Sequence, residues 1–181
     1  QRRIVPPGAF LQPAERYQLI DQIDRWMLRE SMARLAGWPD LLERLERLSV
    51  NLSPQALRDL KLADAIAAML QQTGFPPHKL CLEITESEAV VNIDQAKEFM
   101  ERLKHMGVKF SLDDFGTGFA SFAYLKRLPF DRIKIDGAFV KDMDQDPANA
   151  TLVASMVQMA HALGLPVVAE FVERAAVVQR L

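Results

Sequence analysis

Five short stretches of the chain alternate apolar and polar residues with the period of two expected of a strand whose two faces differ. From Leu48 to Leu52, Val50 and Leu52 face one way while Ser49, Asn51 and Ser53 face the other. Leu80, Leu82 and Ile84 alternate with Cys81, Glu83 and Thr85, and Glu86 follows directly. Val108 to Asp113 sets Phe110 and Leu112 against Lys109, Ser111 and Asp113, with Asp114 at the strand end. Arg132 to Asp136 sets Ile133 and Ile135 against Arg132, Lys134 and Asp136, and Val167 to Phe171 is the last of the set.

Between these stretches the period lengthens to that of a helix. After an irregular entry over Ile4 to Gln12, a helix is expected from Pro13 to about Ala36, since proline is tolerated in a first turn whose amide has no partner anyway. Its apolar side is Leu19, Ile20, Ile23, Met27, Met32 and Leu35, and its polar side includes Glu15, Arg16, Asp24, Arg25 and Arg29. Leu41 to Arg47 is charged and has helical character. Ser53 and Pro54 supply a cap and a first turn for a helix ending at Gly74. Asp94 caps another through Met106, closed by Gly107. Ala120 to Leu128 is a short helix stopped by Pro129, Asp146 or Asn149 starts one reaching Leu163, and Glu173 to Leu181 begins the last.

Strand and helix in strict alternation imply parallel pairing, in either an open doubly wound sheet or a closed (β/α) barrel. The polar residues decide between them. They gather at the carboxyl ends of all the strands, as in barrel enzymes, whereas an open sheet concentrates them at one switch point. A TIM-like barrel is therefore expected, and five strands do not close one. The unpaired edges predict self-association into a homodimer.

Composition narrows the picture. With 181 residues, 49% hydrophobic and 25% charged, the chain can bury a full core, and one domain is the default. A formal net charge of −2 argues against a surface that holds a DNA or RNA polymer by bulk charge. The lone Cys81 excludes an intramolecular disulfide and suits a reducing cytoplasm. Thr151 to Ala169 has no formal charge, but Gln158, His161, Gly164 and Pro166 interrupt it, so a buried helix and strand are expected rather than a membrane span. Gln1 is no natural initiator, and the chain reads as excised from something longer, with a parent that is cytoplasmic or tethered to a membrane elsewhere.

If the mixed faces share one barrel mouth, Asn51, Glu83, Asp113, Lys134 and Glu170 converge there, with Asp114, Asp136 and Glu173 at the rim. Two carboxylates about 5 Å apart repel by about 3 kcal/mol at an effective dielectric near 20, so the group calls for cations or raised pKa values. Oxygen-only ligands favour Mg²⁺ or Mn²⁺ over zinc or copper. The adjacent Asp113 and Asp114 suit two ions, an arrangement that hydrolyses phosphodiesters, with Lys134 orienting water or neutralising charge at phosphate. Taken singly, each strand-end acid is an ordinary cap or rim charge, and Lys134 is an ion-pair partner for Asp136. It is the shared face that makes the set unusual. Trp26, Trp38, Cys81 and the methionines read as packing residues, and His78, His105 and His161 lack metal-ligand spacing.

The segments SVNLSP, CLEITES, SLDDFGTGFAS, LPFDRIKIDGAFV and VVAEFVE, in this order, resemble the EAL-domain family of cyclic di-GMP phosphodiesterases. The resemblance runs from Pro6 to Arg174 and makes residues 1–181 a single partial EAL domain. It implies a barrel that binds cyclic di-GMP and, with two Mg²⁺ or Mn²⁺ ions, opens one phosphodiester to give linear pGpG. It further implies Asn51, Glu83, Asp113 and Asp114 as metal ligands, Lys134 and Glu170 around the metals and the attacking water, and Glu173 nearby. Glu86 would hold the loop Phe115 to Ser121, and Asp136 is a weaker candidate for substrate contact. The family's Glu-Ala-Leu would precede Gln1 and its Gln-Gly strand would follow Leu181, while Phe171 stands where the family usually has Gly. Three functions follow as alternatives: an active phosphodiesterase in the parent protein, a non-catalytic cyclic di-GMP receptor or scaffold, favoured for these residues alone, and an enolase-like Mg²⁺ enzyme, against which the GTG loop speaks.

Overall fold

The structure, a computed structural model, describes residues 4–53, 55–118 and 122–181. The expected helix start at Ala120 and the loop residues Phe119 to Ser121, like Pro54, lie outside them. In chain order the elements are α1 (Pro7–Arg16), α2 (Ile20–Ala36), α3 (Pro39–Arg44), β1 (Leu48–Asn51), α4 (Leu60–Thr73), β2 (Leu80–Thr85), α5 (Glu86–Val91), α6 (Ile93–Lys104) and β3 (Lys109–Phe115). They continue with α7 (Phe122–Arg127), β4 (Arg132–Ile135), α8 (Gly137–Val140), α9 (Pro147–Ala162), β5 (Val167–Ala169) and α10 (Ala175–Val178).

The five strands form one parallel sheet in the order β1-β2-β3-β4-β5. Strictly sequential order has no switch point and is the wall of a barrel, here unclosed. The aliphatic face of the sheet, including Leu80, Leu82, Ile84, Phe110, Leu112 and Ile133, packs on Leu62, Ile66, Phe99, Met100 and Leu103 of α4 and α6 in the main core. The opposite face carries Cys81, Glu83, Ser111, Asp113, Arg132 and Lys134, and so points into the barrel. Cys81 and Ser111 are fully buried there.

Register fixes how far each polar side chain stands toward the mouth. Asn51 lies opposite Glu83, and Thr85 opposite Asp113. Between β3 and β4 the register shifts within Leu112 to Phe115, a bulge at which Asp114 takes a left-handed backbone with φ of 53°.

Several boundaries differ from the sequence reading. The entry is not irregular, because α1 already runs through Pro13, and the break falls at Tyr17 to Leu19, where Gln18 is left-handed with φ of 56°. α4 is capped by Asp59, whose carboxylate accepts from the Lys61 amide, and not by Ser53. α6 is capped by Asn92 rather than Asp94. β5 stops at Ala169, so Glu170 and Phe171 lie beyond its end, and the last helix shrinks to Ala175–Val178. Trp26 and Trp38 are 58% and 62% exposed, so neither packs in the core.

The inward face of α2 is also not what its pattern suggests. Ile20, Asp24, Leu28 and Met32 are buried, while Leu19 and Met27 stay exposed. The Asp24 carboxylate accepts the backbone amide of Ser53, 3.0 Å away, which anchors the chain just past the end of β1. Burial raises its pKa from the ordinary 3.8 despite that hydrogen bond. A carboxyl that protonates more readily folded than unfolded adds stability as pH falls into the window just above 3.8 and subtracts it as pH rises. Asp24→Asn keeps an acceptor and removes the buried charge, so it is expected to match or exceed the parent stability at pH 7, with the gap closing toward pH 4. Asp24→Ala leaves the Ser53 amide buried without its partner and is expected to cost about 1–3 kcal/mol. Denaturant titrations of the three chains at both pH values check the order.

Candidate metal centre

Lys134 sits at the middle of the site. As the third residue of β4 it points into the barrel, and its ammonium reaches Asp113 Oδ1 at 2.9 Å, Glu83 Oε2 at 3.2 Å and Glu170 Oε1 at 2.7 Å. An ammonium has three donors, and β2, β3 and the residue just past β5 supply the acceptors. The sequence-local pairing with Asp136 does not occur. Asp136 instead caps α8 by accepting from the Ala138 amide at 2.7 Å. The lysine, Glu83 and Asp113 side chains are only 15%, 10% and 13% exposed, so solvent screens the group weakly. Burial alone would push the lysine pKa down, yet the hydrogen bonds it donates to Asp113 and Glu170 and the charge of Glu83 carry it well above the ordinary value. Lys134 is therefore a fixed cation at neutral pH.

The bulge explains how two consecutive acids serve one site. In a regular strand Asp113 and Asp114 would point to opposite faces. With Asp114 turned left-handed, carboxylate oxygens of Asp113, Asp114 and Glu170 come within 4.8 Å of one another. Asp114 has a raised pKa, first from burial and then from the neighbouring charges of Asp113, Asp136 and Glu170. Four carboxylates, Glu83, Asp113, Asp114 and Glu170, stand against the single ammonium. An all-oxygen group with that excess of negative charge fits hard divalent cations such as Mg²⁺ or Mn²⁺.

The remaining candidates are placed less centrally. Asn51 is exposed on β1 beside Glu83, and Glu173 is exposed; neither side chain has a hydrogen bond or ion pair among the described residues. Glu86 opens α5 and is buried, with Oε2 accepting the amides of Gly116 at 3.1 Å and Gly118 at 3.2 Å. Thr117 ties the same turn to the bulge through its hydroxyl, which donates to the Asp114 carbonyl at 2.9 Å.

Sequence reasoning did not single out Arg174. Its guanidinium donates to the Lys141 carbonyl and to the carboxylates of Asp142 at 3.1 Å and Asp144 at 2.6 Å, tying the turn after β5 to the turn after α8. Only its place next to Glu173 could have drawn attention to it.

Phe171 follows Glu170 with φ of 52°, a left-handed backbone that glycine adopts without strain. Its ring lies over Gly137, where an added Cβ would collide with it, and the residue is 61% exposed beside a hollow of 260 Å³ lined with Asp136, Gly137, Ala138 and Lys141. Since left-handed backbone costs a non-glycine residue about 1–2 kcal/mol and little ring area is buried, Phe171→Gly is expected to raise stability by up to about 1 kcal/mol while opening the hollow. Thermal denaturation of the two chains reads the gain.

The chain is 36% identical over 182 residues to the cyclic di-GMP phosphodiesterase PdeB of Shewanella oneidensis, covering 99% of this chain and 21% of that protein. It is 36% identical over 175 residues to the cyclic di-GMP phosphodiesterase PdeR of Escherichia coli, covering 97% of this chain and 26% of that protein. The chain thus spans about a fifth to a quarter of the length of the curated relatives it matches. Among solved structures, the PaMucR phosphodiesterase in complex with c-di-GMP superposes with a TM-score of 0.91 at 38% identity, covering 100% of this chain and 73% of that one. The FimX EAL domain from Pseudomonas aeruginosa bound to c-di-GMP superposes with a TM-score of 0.88 at 31% identity, covering 99% and 71%. The family profile of the EAL domain matches residues 1–181, and with five parallel strands in barrel order carrying their acids at the carboxyl ends, the chain belongs to the EAL domain family.

Proposed function

We propose that this chain carries the catalytic face of a cyclic di-GMP phosphodiesterase that yields linear pGpG. The observation that carries the reading is the cluster at the strand ends, where Glu83, Asp113, Asp114 and Glu170 all retain carboxylates around Lys134. Asn51, Glu83, Asp113 and Asp114 would hold two Mg²⁺ or Mn²⁺ ions, with Glu170 and Glu173 beside them. Bound there, the ions would supply Lewis acidity toward the phosphodiester and lower the pKa of water.

The chain's own residues do the rest. Lys134 holds positive charge where phosphate charge develops, and the fixed carboxylates around it keep that charge in place without reorganisation. Glu170, already hydrogen-bonded to the lysine, is positioned to take a proton from an attacking water. Asp136 and Phe171, beside the hollow, would meet the substrate's outer parts. Glu86 would hold the turn that follows the paired aspartates. A homodimer in a cytoplasmic setting belongs to the same reading; among the described residues no helix is long and apolar enough to cross a membrane.

The test is conversion of cyclic di-GMP to pGpG with Mg²⁺ or Mn²⁺ by the protein containing the complete domain, with sedimentation of the same sample for the dimer. Product formation that needs the ion supports the reading. Binding of the dinucleotide with no product at any ion concentration makes the protein a receptor instead.

A further inference from the structure

Two segments enclose the hollow beside the site. One is α8 with its flanking residues Asp136 and Lys141, and the other is the stretch after β5, represented by the exposed Phe171. The two ends of that second segment are held differently. At Glu170 the amide donates to the Ile135 carbonyl at 3.2 Å and the carboxylate accepts from Lys134 at 2.7 Å, so β4 fixes this residue whatever follows it. Phe171 then takes its left-handed turn, and the Glu173 amide donates to the Phe171 carbonyl at 3.0 Å, a bond that stays inside the segment.

Arg174 ties the segment to the other wall. One terminal nitrogen of its guanidinium donates to the Lys141 carbonyl, the backbone of a residue that lines the hollow, and to the carboxylates of Asp142 at 3.1 Å and Asp144 at 2.6 Å. The Asp142 side chain is 62% exposed and adds little, but that of Asp144 is only 11% exposed, so its ion pair is weakly screened. Arg174 is also the N-cap of α10, where serine, threonine, asparagine or aspartate would accept a free amide, and a guanidinium has no acceptor to offer. No side-chain cap forms there. The side chain therefore serves the turn across the hollow and not its own helix. Val172 and Val177 pack with Val140 and Met143 along the same seam, which supplies the rival account, that apolar packing alone holds the walls.

We infer that Arg174 is a positioning residue for substrate binding, its guanidinium setting the spacing between Phe171 and the α8 wall of the hollow. The inference rests on the phosphodiesterase reading for its effect on substrate, though not for its effect on the hollow. Because Glu170 is held separately, loss of the guanidinium falls on KM and spares kcat.

The experiment uses the protein with the complete domain, as wild type, Arg174→Met, Arg174→Lys, Phe171→Gly and Phe171→Gly with Arg174→Met. Amide exchange is read at Glu173, with Ile133 and Ile135 of β4 as the fold control. The chemical shift of the Gly137 Cα protons, which lie against the Phe171 ring, reports where that ring sits. Arg174→Met, which keeps an apolar stem, is expected to speed exchange at Glu173 about tenfold and raise KM for cyclic di-GMP by a similar factor, with kcat and the β4 amides little changed. It should also move the Gly137 protons toward their position in Phe171→Gly. Since one nitrogen makes all three contacts, the single ammonium of Arg174→Lys is expected to bring KM back to within about threefold of wild type. In the Phe171→Gly chain, Arg174→Met is expected to change KM by less than about twofold, because the wall it positions is gone. An unchanged Gly137 shift and Glu173 exchange in Arg174→Met overturns the inference in favour of apolar packing, as does a loss confined to kcat. If the wild type neither binds nor cleaves the dinucleotide, the phosphodiesterase reading fails, and the shift and exchange still decide whether Arg174 holds the walls.

Discussion

Asp113→Asn is expected to lower turnover of cyclic di-GMP by at least about 10³-fold in the protein containing the complete domain, while leaving it folded. Asp113 is placed both to accept from Lys134 at 2.9 Å and to share the oxygen group of Asp114 and Glu170. The amide keeps the shape and one acceptor oxygen, so packing is preserved. What it loses is the negative charge that a hard cation and the ammonium both require. Half-maximal activity should accordingly shift to higher Mg²⁺ or Mn²⁺ before it disappears, and titrating the ion against initial rate shows it. A variant that keeps more than about a tenth of wild-type rate at every ion concentration would place the metal ligands elsewhere.

Much of this arrangement could be read from the sequence. The alternation in LCLEIT, KFSLDD and RIKI identifies the strands and puts Glu83, Asp113 and Lys134 on one face, since a period of two admits only that reading. The strands pair in parallel, as the intervening helices require, and they do so in sequential order. The pairing of Asp114 with Asp113 was expected from their adjacency, but not the means: a strict period of two sends Asp114 away from Asp113, and the bulge against β4 brings it back. What escaped depends on contacts between elements distant in sequence. Asp24 counts as polar in any helical pattern, yet a single backbone amide from Ser53, 29 residues on, makes its burial tolerable. The pairing of Lys134 with Asp136 is the nearest choice along the chain, but the barrel wall offers three acids from three other strand ends, and Asp136 is taken by its own helix. Ser53 likewise looked like a cap because the Ser-Pro signal is local, whereas Asp59 reaches the free amides of α4.

Lys134→Met is expected to act on stability and turnover together, which distinguishes it from Asp113→Asn. Methionine matches the length of the lysine stem and keeps its contacts, but it leaves Glu83, Asp113 and Glu170 facing one another with no cation between them. Removing one partner from a buried charge network costs about 3–5 kcal/mol, because the remaining charges stay desolvated. The lysine pKa is raised, so its folded-state contribution is complete at neutral pH and is lost only as pH climbs through that raised value. At pH 7 the variant should therefore unfold at clearly lower denaturant than the parent. Divalent ion added at pH 7 should narrow the gap, since a cation bound among the same oxygens offsets the missing charge. Turnover should stay at least about 10²-fold down even at saturating ion, because among the described residues no other side-chain cation reaches that place when phosphate charge develops. Denaturation curves at pH 7, with and without Mg²⁺, together with kcat at saturating ion, separate the two effects. Stability that ignores the ion would mean that the lysine serves packing alone.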